Sequence, residues 1–233
     1  MLPVGEIRRK ARQILEGKWR EVALLNIIPV LIAILFAGAA TNTLDFFGLG
    51  FSDDNMVNEV ANYGMDNFID FKRLIIDIVT ILFATGVSFT LLDLVRNSHY
   101  KIDPLSDALR IFKQGQIVSV IAIHIISGFF IILWSFLFIV PGIIAALAYS
   151  QAYYIYKDSE ATGENLSALD CISRSKELMD GNKGKLFVLE LSFIGWHFIG
   201  GLTFGLGYLF ITPYIQTAKA VFYNDLLDET QDF

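Results

Sequence analysis

Three shortages frame this 233-residue chain. Cysteine is nearly absent: Cys171 stands alone, so neither an intramolecular disulfide nor a multi-cysteine metal site can form. Charge is scarce, with Asp, Glu, Lys and Arg together making 18% of the residues, where globular domains carry about 25%. Lys and Arg are missing altogether between Glu21 and Phe71, although Asp45, Asp53, Asp54, Glu59, Asp66 and Asp70 fall in or beside that interval. Catalytic signatures are missing too. No HExxH pair, phosphate-binding GKS/T loop, nucleophile elbow or zinc-ligand cluster occurs, and the scattered acids and histidines supply no converging acid, base and nucleophile set. The sequence therefore predicts a protein that is not an enzyme, with no cofactor, no metal and no nucleic-acid partner.

What fills the chain instead is apolar. Hydrophobic residues reach 54%, mean hydropathy is +0.52, and Phe and Gly contribute 20 and 18 residues. From Leu186 to Ile211 the single formal charge is Glu190. That run exceeds the roughly 20 residues that cross a hydrocarbon core, and its glycines at 195, 200, 201, 205 and 207 offer turn points, so it predicts one crossing up and one back. Pro213 is expected to end or kink the return helix.

The same logic divides the rest. Residues 22–40 form a first apolar segment kinked at Pro29, 74–92 a second, 117–140 a third, and 143–156 a fourth after a break at Pro141 and Gly142. With the final hairpin this makes six transmembrane helices in one all-α, polytopic bundle spanning 1–233. Arg8, Arg9, Lys10, Arg12, Lys18 and Arg20 precede the first segment, and Arg96, Lys101, Arg110, Lys113, Lys157, Arg174, Lys176, Lys183 and Lys185 fill the later connections. Because Lys and Arg stay on the cytoplasmic side, both termini are predicted inside and the loop 41–71 outside. No small-residue cleavage site follows the basic amino-terminal cluster, so the first apolar segment is expected to stay as an anchor.

Short amphipathic helices lead into the apolar ones. Residues 5–17 carry Ile7, Ala11, Ile14 and Leu15 on one side, and Gly17 is positioned to stop the helix. Asp103 followed by Pro104 gives a capping residue and a proline at the first helical position; Leu105, Leu109 and Phe112, joined by Ala108 and Ile111, make an apolar face, and Gly115 closes the segment. Asn165 is positioned to cap a third such helix, which Gly181 ends. Aligning Gly17, Gly115 and Gly181 yields a threefold plan with units 1–98, 99–158 and 159–228, each an amphipathic helix followed by a helical hairpin. The unit ends also look alike, as DLVRN at 93–97, YIYKD at 154–158 and FYNDL at 222–226.

In this alignment the ninth residue after the glycine is polar each time: Asn26, His124 and Glu190. Nine residues of helix place such a side chain about 13 Å along the axis, where it should turn into the bundle. His197 lies seven residues beyond Glu190 on roughly the same face. Two readings stay open for these four: hydrogen bonds between helices, or a polar path for transport or ligand binding. Tyr149, Gln151, Tyr153, Pro213, Tyr214 and Gln216 follow or flank the two proline breaks and are candidates for an amphipathic pocket suited to a lipid or another hydrophobic ligand.

Four words of the chain carry a resemblance: RRKARQILEGKW at 8–19, VPGIIAALAYSQAYYI at 140–155, SRSKELMDGNKGKLFVLELSFIGW at 173–196 and GLGYLFITPYIQTAKAVFYNDL at 205–226. With them the chain resembles the DUF975 family of uncharacterised bacterial integral membrane proteins. The resemblance implies a multi-pass protein of the bacterial cell membrane and brings no established activity, substrate or catalytic residue. The expected function is accordingly the binding of a lipid, a hydrophobic ligand or a partner membrane protein in envelope assembly or regulation. A small secondary transporter is the alternative, and the sequence leaves the oligomeric state open.

Overall fold

The computed structural model describes residues 2–31, 59–113, 115–203 and 205–231, which are helical with short connections and contain no strand. In chain order the helices are α1 (Val4–Leu15), α2 (Trp19–Leu25), α3 (Glu59–Arg96), α4 (Pro104–Ala108), α5 (Arg110–Lys113), α6 (Ile117–Leu137), α7 (Ile139–Tyr149), α8 (Ala152–Thr162), α9 (Ala168–Leu178), α10 (Lys183–Leu191), α11 (Ile194–Leu202) and α12 (Tyr208–Gln231). Four stretches are long and apolar enough to cross a membrane: Ile75–Arg96, Ile117–Leu137, Ile139–Thr162 and Lys183–Leu202. Of the expected first crossing, residues 32–40 lie outside the described residues. The return helix α12 is not among the four.

The three lead-in segments form as their patterns require. In α1, Ile7, Ala11 and Leu15 recur every fourth residue and are buried, packing the helix onto α12. Gly17, Gly115 and Gly181 adopt φ of 77°, 69° and 74°, the left-handed conformation that ends a helix and that L side chains resist. Asp103 caps α4 by accepting from the Ser106 amide, with Pro104 at the first position. Two details differ from expectation. The segment after Pro104 divides at Leu109, and Leu105 is exposed while Ala108 and Ile111 face the core. The cap of α9 is Ser167 and not Asn165: the Ser167 hydroxyl accepts from the Asp170 amide while the Asp170 carboxylate accepts from the Ser167 amide, a reciprocal box that Asn165 has no acid in place to complete.

Prolines set the interruptions, but one turn upstream of themselves. Residue 26 breaks the first apolar segment and helical conformation resumes over 27–31, with Pro29 third in the new helix. Likewise a single extended residue, Phe138, separates α6 from α7, and Pro141 is third in α7. A proline lacks the N–H that the first turn leaves unbonded anyway, so the break falls before that turn rather than at Pro141 and Gly142. Pro213 does not end α12, which continues unbroken to Gln231. The final turn falls among the expected glycines, at residues 203 and 205–207, where Gly205 takes φ 87°. Of the loop 41–71, residues 41–58 lie outside the described residues, and 59–71 belong to α3, whose 38 residues extend about 57 Å.

Two cores result. One joins α1, α2, α3, α10 and α12 through Ile7, Leu15, Leu25, Leu91, Leu189 and Phe222; the other joins α3, α6, α8, α9 and α12 through Phe89, Ile123, Tyr154, Cys171 and Tyr223. Helices α3 and α12 serve both. The helix break at Ser150 and Gln151 is closed by one group: the buried Ser175 hydroxyl of α9 donates to the Ala148 carbonyl at 2.7 Å and accepts from the Gln151 amide at 3.1 Å. Outside the cores, Val118, Ile125, Phe129, Ile132 and Phe136 of α6, Phe138 and Ile139 at the turn, and Phe198 and Leu202 of α11 stand exposed, Phe136 at 90%. Contiguous apolar surface on this scale is what hydrocarbon, not water, accommodates.

Candidate functional site

The four polar residues expected inside the membrane-crossing helices do not converge on one path. Asn26, 2% exposed, donates from Nδ2 to the Tyr208 carbonyl at 3.0 Å, tying the interruption after α2 to the start of α12. His124 Nδ1 lies 2.8 Å from the Tyr153 hydroxyl, joining α6 to α8. Glu190 pairs with Lys219 Nζ at 2.7 Å, joining α10 to α12. His197 Nδ1 lies 3.4 Å from the Tyr208 hydroxyl, joining α11 to α12. Each is thus a cross-link from one helix to another, the arrangement by which polar groups hold helices together in lipid.

The six pocket candidates also separate. Tyr149 packs its ring against Phe130, Tyr153 meets His124, and Gln151 is buried at the α7–α8 break. Tyr214 is buried between Phe193 and Trp196, edge-on to both, with its hydroxyl 3.4 Å from Arg8 Nε. Pro213 is buried beside it and Gln216 is half-buried on the same helix. Two open grooves flank α1: one is lined by Arg9, Arg12, Gln13, Glu16 and Trp19, the other by Leu2, Pro3, Val4, Gly184, Lys185 and Val188.

The densest polar arrangement lies elsewhere, where the similar unit ends come together. Asp93 of α3 receives Arg110 Nη1 of α5 at 2.8 Å on one carboxylate oxygen and Lys157 Nζ of α8 on the other; Arg110 also reaches Thr90 Oγ1 at 3.3 Å. One turn on, Arg96 grips Asp158 with both terminal nitrogens at 2.5 and 2.8 Å, and its Nε donates to Asn224 Oδ1 at 3.3 Å. The Tyr223 hydroxyl donates to Asp158 at 2.7 Å, and the Arg96 guanidinium sits 5.9 Å from the Tyr223 ring centre. Asp225 accepts from the Leu2 amide at 2.6 Å, bringing the amino-terminal segment onto the same helix end. The words DLVRN, YIYKD and FYNDL therefore supply the facing halves of one network. None of its side chains is more than a third exposed among the ion-paired members, so the pairs are screened less than surface pairs.

Sequence reasoning missed Lys219, Tyr208 and the pairing of Asp93 with Lys157 and Arg110. The similar words DLVRN, YIYKD and FYNDL were the available signal for the network, since they carry its acids and bases. Nothing near Glu190 in the sequence marks Lys219, which lies on the far side of the final turn.

An all-helical bundle with long, lipid-compatible helices, helix-to-helix polar cross-links and an ionic cluster at the helix ends is a membrane-protein architecture. The chain belongs to the family described as protein of unknown function (DUF975), which matches residues 1–146 and 137–230. Comparison with curated proteins and with solved structures yields no match.

Proposed function

We propose that this chain is a non-enzymatic, six-span protein of the bacterial cell membrane that holds a membrane lipid. Its three hairpin units, 1–98, 99–158 and 159–228, enter from the cytoplasm through α1, α4–α5 and α9, and both termini remain there. The left-handed glycines at the ends of all three lead-in segments support the repeat, and the clustering of Lys and Arg near those segments supports the orientation. The ionic network then lies at the cytoplasmic ends of the return helices and clamps the hairpins together.

The observation that carries the reading is the broad apolar surface of α6, α7 and α11 together with the partly exposed ion pair Glu190–Lys219 on the adjoining α10 and α12. A surface of that kind is fitted to amphiphiles. The transporter alternative draws less support, because Asn26, His124 and Glu190 occupy three separate helix contacts. Native mass spectrometry of protein extracted in mild detergent tests the reading directly. Stoichiometric phospholipid persisting after delipidation is expected. A stoichiometric membrane protein in its place would favour the partner form, and ion- or proton-coupled solute flux in proteoliposomes would favour transport.

A further inference from the structure

The hairpin formed by α10, α11 and α12 carries a polar seam that the packing of the bundle leaves partly open. On α12, Tyr208, Thr212, Gln216 and Lys219 recur at i, i+4, i+8 and i+11, which keeps them on one face, and all four are half-buried. The neighbouring stripe of the same helix, Ile211, Ile215 and Ala218, is buried, so the polar stripe runs along the margin of the core, with Tyr208 packed against it. Across from it, Glu190 is half-buried and His197 and Gly201 are exposed, seven and eleven residues along. Contacts pin the two sides antiparallel at both ends: Glu190 to Lys219 at 2.7 Å and His197 to Tyr208 at 3.4 Å. Between Tyr208 and Lys219 the seam runs about 17 Å. A side chain added at Gly201 would meet nothing within 4 Å, so that end stays open.

Exposed Leu191, Ile194, Phe198 and Phe210 border the seam. Half-exposed charge in a stretch apolar enough to cross a membrane is costly against hydrocarbon alone. A molecule with a charged head and apolar tails satisfies both surfaces, and a carboxylate beside an ammonium is the electrostatic complement of a zwitterion. We propose that the seam binds the headgroup of a zwitterionic aminophospholipid, with its ammonium on Glu190, its phosphate on Lys219 and Gln216, and its acyl chains along Phe198 and Phe210. This rests on the lipid-binding reading above and adds to it a site and a headgroup class.

The test uses the full chain reconstituted in nanodiscs made from equal parts phosphatidylethanolamine and phosphatidylglycerol, re-extracted in mild detergent, with retained lipid identified by native mass spectrometry. The wild type should retain phosphatidylethanolamine in preference to phosphatidylglycerol. Glu190→Gln should lower that retention about tenfold, the effect of one charge-assisted hydrogen bond, and spare the anionic lipid. Lys219→Met should lower retention of both. Should either variant unfold, Thr212→Val with Gln216→Ala leaves the ion pair intact and should still weaken retention several-fold. Preferential retention of phosphatidylglycerol by the wild type would overturn the headgroup assignment. Undiminished phosphatidylethanolamine retention in every folded variant would overturn the seam while leaving lipid binding standing; a wild type that retains no lipid would bring down the lipid-binding reading itself.

Discussion

Replacing Ser175 with alanine removes one hydroxyl from a site with no exposure to solvent, and two backbone groups of another helix lose their partner together. The break between α7 and α8 leaves the Gln151 amide and the Ala148 carbonyl pointing at α9, and the Ser175 oxygen serves both, as acceptor for the first and donor to the second. A buried group left unsatisfied costs about 1–3 kcal/mol, so two such groups imply a loss of about 2–6 kcal/mol. Ser192→Ala is the matched control. Its hydroxyl donates only to the Leu189 carbonyl of its own helix at 2.7 Å, and such local bonds contribute little, so a change below about 0.5 kcal/mol is expected. Both variants are compared by titrating sodium dodecyl sulfate into mixed micelles and following tryptophan fluorescence, which reports unfolding through Trp19, Trp134 and Trp196. Equal stabilities for the two variants would refute the claim that one hydroxyl closes the break.

The ion network makes a comparable prediction: Asp93→Asn leaves Arg110 and Lys157, both mostly buried, without their shared anion and should cost about 2–3 kcal/mol by the same titration, whereas loss under about 0.5 kcal/mol would mean the cluster does not clamp the helix ends. Gly181→Ala should destabilise by about 1–2 kcal/mol because the residue sits at φ 74°, while Gly184→Ala, helical and with open space around it, should be neutral or slightly stabilising; thermal unfolding in detergent separates the two. Gly200→Ala places a methyl group 2.7 Å from the Tyr208 ring and should cost about 1–3 kcal/mol, with Gly201→Ala as the silent neighbour. Burial pushes the Cys171 thiol from its ordinary 9.0 up to about 11. The folded chain therefore keeps this proton where the unfolded chain loses it, and stability should be intact below pH 9 and decline as pH rises towards 11. Maleimide labelling of native protein should be slow at pH 7.5 and become fast only on unfolding; rapid labelling without unfolding would contradict the burial.

Features that a single residue type dictates were legible before any coordinates. Gly17, Gly115 and Gly181 could be located because a helix ending in the left-handed region favours a residue without a Cβ, and Asp103–Pro104 could be located because both residues suit the first turn and nothing else nearby does. Where a decision depended on a second residue, the reading slipped. Asn165 and Ser167 are both good caps, and only the acid three positions after Ser167 decides between them. The break lies at Phe138, three residues before Pro141, because a proline suits the first turn of a helix and the chain must open ahead of that turn. The partners of Asp93 and Glu190 were out of reach, since Lys157 and Lys219 approach only after hairpins have folded back.

That last distinction bears on what the polar residues are for. If His124 and Glu190 served one continuous path, their partners should come from a shared interior; instead Tyr153 comes from α8 and Lys219 from α12, in two separate helix contacts. Those two contacts join α6 to α8 and α10 to α12, while Asn26 with Tyr208, Ser175 with Ala148 and Gln151, and the cluster of Asp93, Arg96 and Asp158 link more distant parts of the chain beside the apolar cores. Weakening the network at the helix ends should affect α3, α8 and α12 together, because Arg96 holds both Asp158 and Asn224 and Tyr223 donates to Asp158. Arg96→Met combined with Glu190→Gln is accordingly expected to be close to additive in stability, within about 0.5 kcal/mol, because the two pairs share no partner. A coupling well beyond that value would show that the seam and the network act as one unit.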